Sequence, residues 1–295
     1  MKKILILSVC LFVCWALPAQ QQRMKVACVG NSITYGTGLA DRATQSYPVQ
    51  LQKLLGEHYE VENFGKPGAT LLNQGHRPYT RQEEYRKALD FAGDIVVIHL
   101  GINDTDPRDW PNYRDSFVTD YLNLMDTFRK VNPDVRIIIA RMTPIADRHN
   151  RFLSGTRDWH GEIQTAIETV ARYAGVQLID FHEPLYPYPS LLPDAVHPTA
   201  EGAAIMAQTV YSAITGDYGG LQLSPLYTDN MVLQRDTPLL IHGTANVGEQ
   251  VTVRIDRQQW ITKAALDGKW SVKLSPLKAG GPYTCLLYTS DAADE

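Results

Sequence analysis

No uninterrupted run in this chain of 295 residues reaches the roughly 18 apolar residues that a membrane-spanning helix requires, so a spanning segment is excluded as an expectation. Positive charge is also short. The 28 Lys and Arg stand against 32 Asp and Glu, a net −4, which leaves no basic footprint for nucleic acid or another polyanion. Cysteine is scarce, with four in all. Cys10 and Cys14 lie in the first apolar stretch, Cys28 in a strand-like run and Cys285 near the end, so no structural disulfide is expected. No Cys/His grouping has zinc-ligand spacing, so neither a metal nor any other cofactor is implied. There is no internal repeat and no low-complexity tract.

What the chain does have is a 44% hydrophobic content, enough for a substantial core in one large domain or two moderate ones. It opens MKKILILSVCLFVCWALPAQ, two lysines followed by a mostly apolar run from Ile4 to Leu17. This is the pattern of a secretory signal over residues 1–19, with the cut near Ala19, although Leu17 stands where a small residue is preferred. The expected location is therefore periplasmic or extracellular, in a bacterium. A lipoprotein reading of LSVC is weaker, because Val9 is bulky and Cys10 lies inside the apolar run.

From residue 24 to about 216, strand-like runs alternate with helix-period segments. The strands are expected at MKVACVG (24–30), YEVENFG (59–65), DIVVIHLG (94–101), DVRIIIARM (134–142) and VQLIDF (176–181). YPVQLQKLLG, FVTDYLNLMDTFRKV, IQTAIETVARYAG and AEGAAIMAQTVYSAITG carry apolar residues at three- and four-residue intervals and read as helices. Strand–helix alternation implies βαβ crossovers, hence a doubly wound α/β domain whose ligand site lies at the carboxyl ends of the strands. After TGDYGG (215–220) short alternating runs such as QVTVRID (250–256) and KWSVKL (269–274) are punctuated by turn signals. A small all-β segment is expected there, giving a first domain over 20–217, a linker at 218–222 and a β segment over 223–284.

The strand ends carry chemistry. GNSIT (30–34) puts Ser32 between the first strand and a helical turn, where it serves either as a helix N-cap or as an exposed nucleophile. NFGKPGAT (63–70) supplies Gly68, whose amide can approach a reacting oxygen with no side chain intervening. HLGIND (99–104) places Asn103 just beyond the sheet, as a turn former or a hydrogen-bond donor. In LLPDAVHPTAEG (191–202), Pro198 keeps His197 out of helical geometry. Asp194 is near enough to orient that ring through Nδ1, leaving Nε2 to take a proton from a serine. Acyl transfer needs this set: a nucleophile, a base, a carboxylate that holds the tautomer, and donors aimed where negative charge develops. Arg77 and Arg81, in GHRPYTR (75–81), read either as solvated loop charges or as recognisers of a sugar carboxylate.

GNSIT, NFGKPGAT, GIND and DAVH, in this order, resemble the four blocks of the SGNH, or GDSL-like, hydrolases. The resemblance spans residues 24 to 216 and departs from the GDSL wording in Asn31, where the wording has aspartate. It implies a flavodoxin-like five-stranded parallel sheet. It also implies Ser32 as nucleophile, Asp194 and His197 as its partners, and an oxyanion hole made by the Ser32 amide, the Gly68 amide and Asn103. The β segment is similar to the opening β domain of bacterial sialate O-acetylesterases, which precedes a further catalytic domain. That similarity implies an O-acetylated sugar substrate, sialic acid foremost, and a catalytic domain lost by truncation. The last eleven residues, CLLYTSDAADE (285–295), fit no strand pattern and resemble a translated sequencing adapter, hence an expected non-native tail. The alternatives are a lipase- or lysophospholipase-like ester hydrolase, for which no segment supplies a long acyl groove, and a non-catalytic carbohydrate-binding protein.

Overall fold

The computed structural model describes residues 23–150 and 156–290. The expected signal segment and residues 291–295 lie outside the described residues. Strand β1 (Met24–Gly30) is buried on both faces from Val26 onward, as a strand covered on both sides must be. It is followed by the single-turn helix α1 (Ser32–Tyr35), short helix α2 (Arg42–Gln45), α3 (Tyr47–Leu55) and β2 (Tyr59–Gly65). Then come α4 (Glu83–Phe91), β3 (Ile95–His99), α5 (Trp110–Tyr113), α6 (Phe117–Val131) and β4 (Arg136–Arg141). Helix α7 (Thr156–Ala174), β5 (Gln177–Asp180) and α8 (Ala200–Thr215) complete the unit.

The five strands pair in parallel in the order β2-β1-β3-β4-β5, the flavodoxin-like winding. Helices α3 and α8 pack on each other on one side, while α4, α6 and α7 follow one another on the opposite side. Both faces of the sheet are thereby dry, which explains why every residue of β3 is buried. Helix α6 shows how the sequence builds this layer. Phe117, Tyr121, Leu124, Met125 and Phe128 fall on one stripe and all are buried. Each such side chain contributes about 1.5–3 kcal/mol when removed from water, before the chain entropy that opposes it.

The winding reverses between the neighbouring strands β1 and β3, and the loops after β1, β2 and β3 open a crevice there. Gly30 makes the first turn possible. A Cβ at Gly30 would stand 2.0 Å from Thr34 Oγ1 and 2.8 Å from the His99 carbonyl, so α1 could not fold back against β1 and β3.

The remaining strands, β6 (Gln222–Leu223), β7 (Leu239–Thr244), β8 (Gln250–Ile255), β9 (Gln258–Lys263), β10 (Lys269–Leu274) and β11 (Cys285–Ser290), form two antiparallel three-stranded sheets. Their orders are β10-β7-β6 and β11-β8-β9. They enclose a separate core around Val251, Val253, Trp270, Val272 and Leu274. Residues 285–290, read from the sequence as fitting no strand, form β11 against β8, from Cys285 opposite Ile255 to Ser290 opposite Gln250. The six residues keep an alternation with Leu287 against this core, which is sufficient for pairing with an open β8 edge. The β unit meets the α/β unit at Val247, whose N–H donates to the Gly216 carbonyl, and at Leu266, whose carbonyl accepts from Gln177. Gln177 opens β5, so this junction lies at the amino ends of the strands, away from the crevice.

Candidate active site

Ser32 is the first residue of α1 and not its cap. Asn31 fills that position: its Oδ1 accepts from the Ile33 N–H at 2.9 Å, while its Nδ2 donates to the His99 carbonyl of β3 at 3.3 Å. The Ser32 hydroxyl is thereby freed of a structural duty. It lies 2.9 Å from His197 Nε2, and His197 Nδ1 lies 2.6 Å from Asp194 Oδ2. With Nδ1–H donating to the carboxylate, Nε2 is an acceptor and the serine O–H donates to it.

Asp194 is held from several directions. Its other oxygen accepts the backbone N–H groups of Val196, at 3.0 Å, and His197, at 2.7 Å. Partial burial pushes this carboxyl up, but the His197 amide and ring together with the Val196 amide outweigh it and hold the group below the usual carboxylate range. The tight turn requires Ala195 to adopt φ 74, a left-handed conformation rare for a residue with a side chain. The surroundings enforce it. Ala195 is buried, its N–H donates to the Leu192 carbonyl, and its carbonyl accepts from Ala146, both at 2.8 Å. Arg148 donates to the Leu192 carbonyl as well, so the loop after β4 braces the loop that carries Asp194 and His197.

On the opposite side of the serine, Gly68 sits at φ 76 in the loop after β2. Asn103, on the 3-10 turn Ile102–Thr105 after β3, donates one Nδ2 proton to the Ala69 carbonyl at 2.9 Å. Its second amide proton remains for another acceptor. Among the described residues, the Ser32 and Gly68 amides donate to no protein group. The five site residues expected from the strand ends thus fall into two sets: the hydrogen-bonded Ser32–His197–Asp194 chain, and donors on the two adjacent loops.

One residue of this architecture escaped the sequence reading. Asp104 is fully buried and accepts the N–H groups of Leu71, at 2.9 Å, and Leu72, at 2.8 Å, anchoring the loop that carries Gly68. Asp120 and Asp109 repeat the device at Asn73 and His76. The only available signal was adjacency to Asn103 within GIND. Burial pushes the Asp104 carboxyl up to about 7, against the Leu72 and Leu71 amides, which favour the anion. The folded state therefore keeps this proton to higher pH than the unfolded chain, and stability falls as pH rises from about 4 to about 7. Asp104→Asn should remove that slope. In thermal melts between pH 4.5 and 7.5, the stability difference between wild type and variant is expected to shrink as pH rises; a constant difference would contradict the assignment.

His76, Asp106 and Asp109 have ligand-type atoms within 4.8 Å of one another, but each acid is already engaged. Asp109 Oδ2 is 2.6 Å from His76 Nδ1, and both Asp106 oxygens accept from the Arg108 guanidinium at 2.9 Å. This is a loop clamp with a cation already in place. The other buried ionisable groups are equally inert. His99, pushed down to about 3 by burial, stays neutral, and the buried Cys28 thiol is pushed up to about 12. Cys28 and Cys285 are both free.

The GDSL-like lipase/acylhydrolase family matches residues 28–205, which include all five residues of the site. The chain belongs to that family. An acetylxylan esterase from Xylanibacter ruminicola is 34% identical over 221 residues, 68% of this chain and 45% of that protein. The chain thus spans less than half the length of that relative. Among solved structures, the acetyl xylan esterase AlAXEase superposes with a TM-score of 0.51 at 21% identity, over 65% of this chain and 100% of its own. A GDSL-like lipase from Bacteroides thetaiotaomicron VPI-5482 gives 0.50 at 21%, over 64% and 87%. At these identities the structural likenesses establish the fold, and this family member carries the SGNH hydrolase fold with additional small β sheets.

Proposed function

We propose that the protein is a serine esterase that removes acetyl and similarly small acyl groups from O-acetylated carbohydrates. The observation that carries this reading is the unbroken chain from the Ser32 hydroxyl through His197 to Asp194. In this mechanism Ser32 Oγ attacks the ester carbonyl while His197 Nε2 takes its proton, and Asp194 stabilises the resulting imidazolium. The Ser32 and Gly68 amides and the free Asn103 proton receive the oxyanion. The imidazolium then protonates the departing sugar oxygen, and a water deprotonated by His197 hydrolyses the acyl-enzyme.

The sugar class is supported by the acetylxylan esterase relative. The finer choice of sialic acid rests on the resemblance of the β segment alone. Export is part of the same proposal and rests on residues 1–19; among the described residues no helix is long and apolar enough to cross a membrane. The decisive experiment is an acyl series on the purified protein. Each methylene usefully buried would contribute about 0.8 kcal/mol, so a lipase-like groove makes kcat/KM climb from acetyl to octanoyl. The expected result is the reverse, with acetyl best and a steep fall beyond butyryl. Octanoyl outperforming acetyl would transfer the protein to the lipolytic alternative. Failure of a fluorophosphonate to label folded protein at Ser32 would favour a non-catalytic binder. A parallel panel of acetylated sialic acid and acetylated xylan separates the two sugars.

A further inference from the structure

Arg77 stands over the donor side of the crevice. Its Nη1 donates to the Pro67 carbonyl at 3.0 Å, and the same atom lies 3.2 Å from where a Cβ on Gly68 would be. Its Cζ and Cδ follow at 3.7 and 3.6 Å, so the guanidinium lies along the face of Gly68 and rests there because the side chain is missing. The backbone fixes its root: the Arg77 carbonyl accepts from the Thr70 N–H at 2.9 Å, and the next residue, Pro78, bridges to Thr70. Of the other cations around this loop, Lys66 is neutralised by Glu84 at 3.0 Å and Arg108 by Asp106 at 2.9 Å, while Arg81 is exposed but is not among the atoms nearest Gly68. Arg77 is exposed and, among the described residues, pairs with no carboxylate. One of its five N–H groups is used by Pro67, which leaves a planar fork of donors beside a proposed oxyanion amide.

We infer that Arg77 selects acidic sugars: it binds a carboxylate of the substrate from beside Gly68 while Ser32 attacks the acyl group. The inference rests on the esterase reading above and narrows its substrate class to O-acetylated uronic or ulosonic acids. A guanidinium fork matches the two oxygens of a carboxylate in bidentate fashion, whereas a neutral hydroxymethyl group at the same place engages it through a single weaker bond. The net negative charge of the chain disfavours an anionic substrate at long range, so a carboxylate needs a local cation such as this one.

The test compares mono-O-acetylated methyl glucuronoside with the matching methyl glucoside, which differ only in carboxylate against hydroxymethyl. Wild type is expected to prefer the glucuronoside by about tenfold or more in kcat/KM, the preference shrinking with added salt because the cation is exposed. Arg77→Gln should bring the ratio to about one, Arg77→Lys should restore it only in part, and Arg81→Gln should leave it at the wild-type value. Equal efficiencies in wild type, or a preference that survives Arg77→Gln, would overturn the inference and leave the esterase standing. Failure of wild type to hydrolyse either sugar or a simple aryl acetate would overturn both.

Discussion

Ser32→Ala is expected to lower kcat by roughly 10⁴–10⁶-fold while the protein folds as before. The substitution removes one oxygen at a nearly buried position and leaves His197 held by Asp194 and Asn31 capping α1, so the circular dichroism spectrum and melting temperature should stay close to wild type. Adding His197→Ala to Ser32→Ala should cost little more, because an unactivated hydroxyl and an imidazole with nothing to activate are the same defect. Losses that multiply in the double variant would mean that the two side chains work independently, and near-wild-type turnover by the single variant would end the serine mechanism.

The second large effect belongs to Asn103. Replacing it by alanine deletes the proton left for the oxyanion and also the bond to the Ala69 carbonyl. A fall of about 10²–10³ in kcat, with a much smaller change in KM, is expected, since the negative charge it faces develops only in the transition state. A change confined to KM would place Asn103 in ground-state sugar binding. Because the Ala69 bond helps hold the loop of Gly68, the melting temperature should be recorded with the kinetics.

The sequence was most informative where one interaction dominated. Strands β1 and β2 match their expected bounds to the residue, because glycine ends both runs. The expected β3 run was one residue too long at its start and two at its end. Asp94 is drawn off to pair with the Lys25 backbone, and Gly101, at φ 122, already belongs to the turn that presents Asn103. Helix α4 escaped the sequence reading although Tyr85, Ala88 and Leu89 stand at three- and four-residue intervals: EEYRKALDF is mostly charged, and Ala88 is its one buried residue, with Tyr85, Leu89 and Phe91 half-buried against the core. Its position follows from packing on β1 and β2, a tertiary cause that a local pattern does not carry. The carboxylate clamps on the loop after β2 were illegible for a similar reason. An aspartate in a chain with 32 acids carries no mark of burial, and only the folded loop reveals that Leu71 and Leu72 present their amides to Asp104.

Asn103 and Asp104 are consecutive residues of one 3-10 turn, and both grip the same short stretch of chain, one at Ala69 and the other at Leu71 and Leu72. The first faces the crevice and the second lies fully inside the protein. An engineer seeking a more heat-resistant enzyme would be drawn to the buried acid as an obvious target for an apolar replacement. Any such replacement releases two backbone amides and lets the turn rotate, and the rotation is transmitted to its neighbour one peptide away. Thermal hardening and catalytic rate are therefore antagonistic at this point, and useful stabilising changes should be sought in α6 or on the solvent faces of the helices, where no residue shares a peptide with the site.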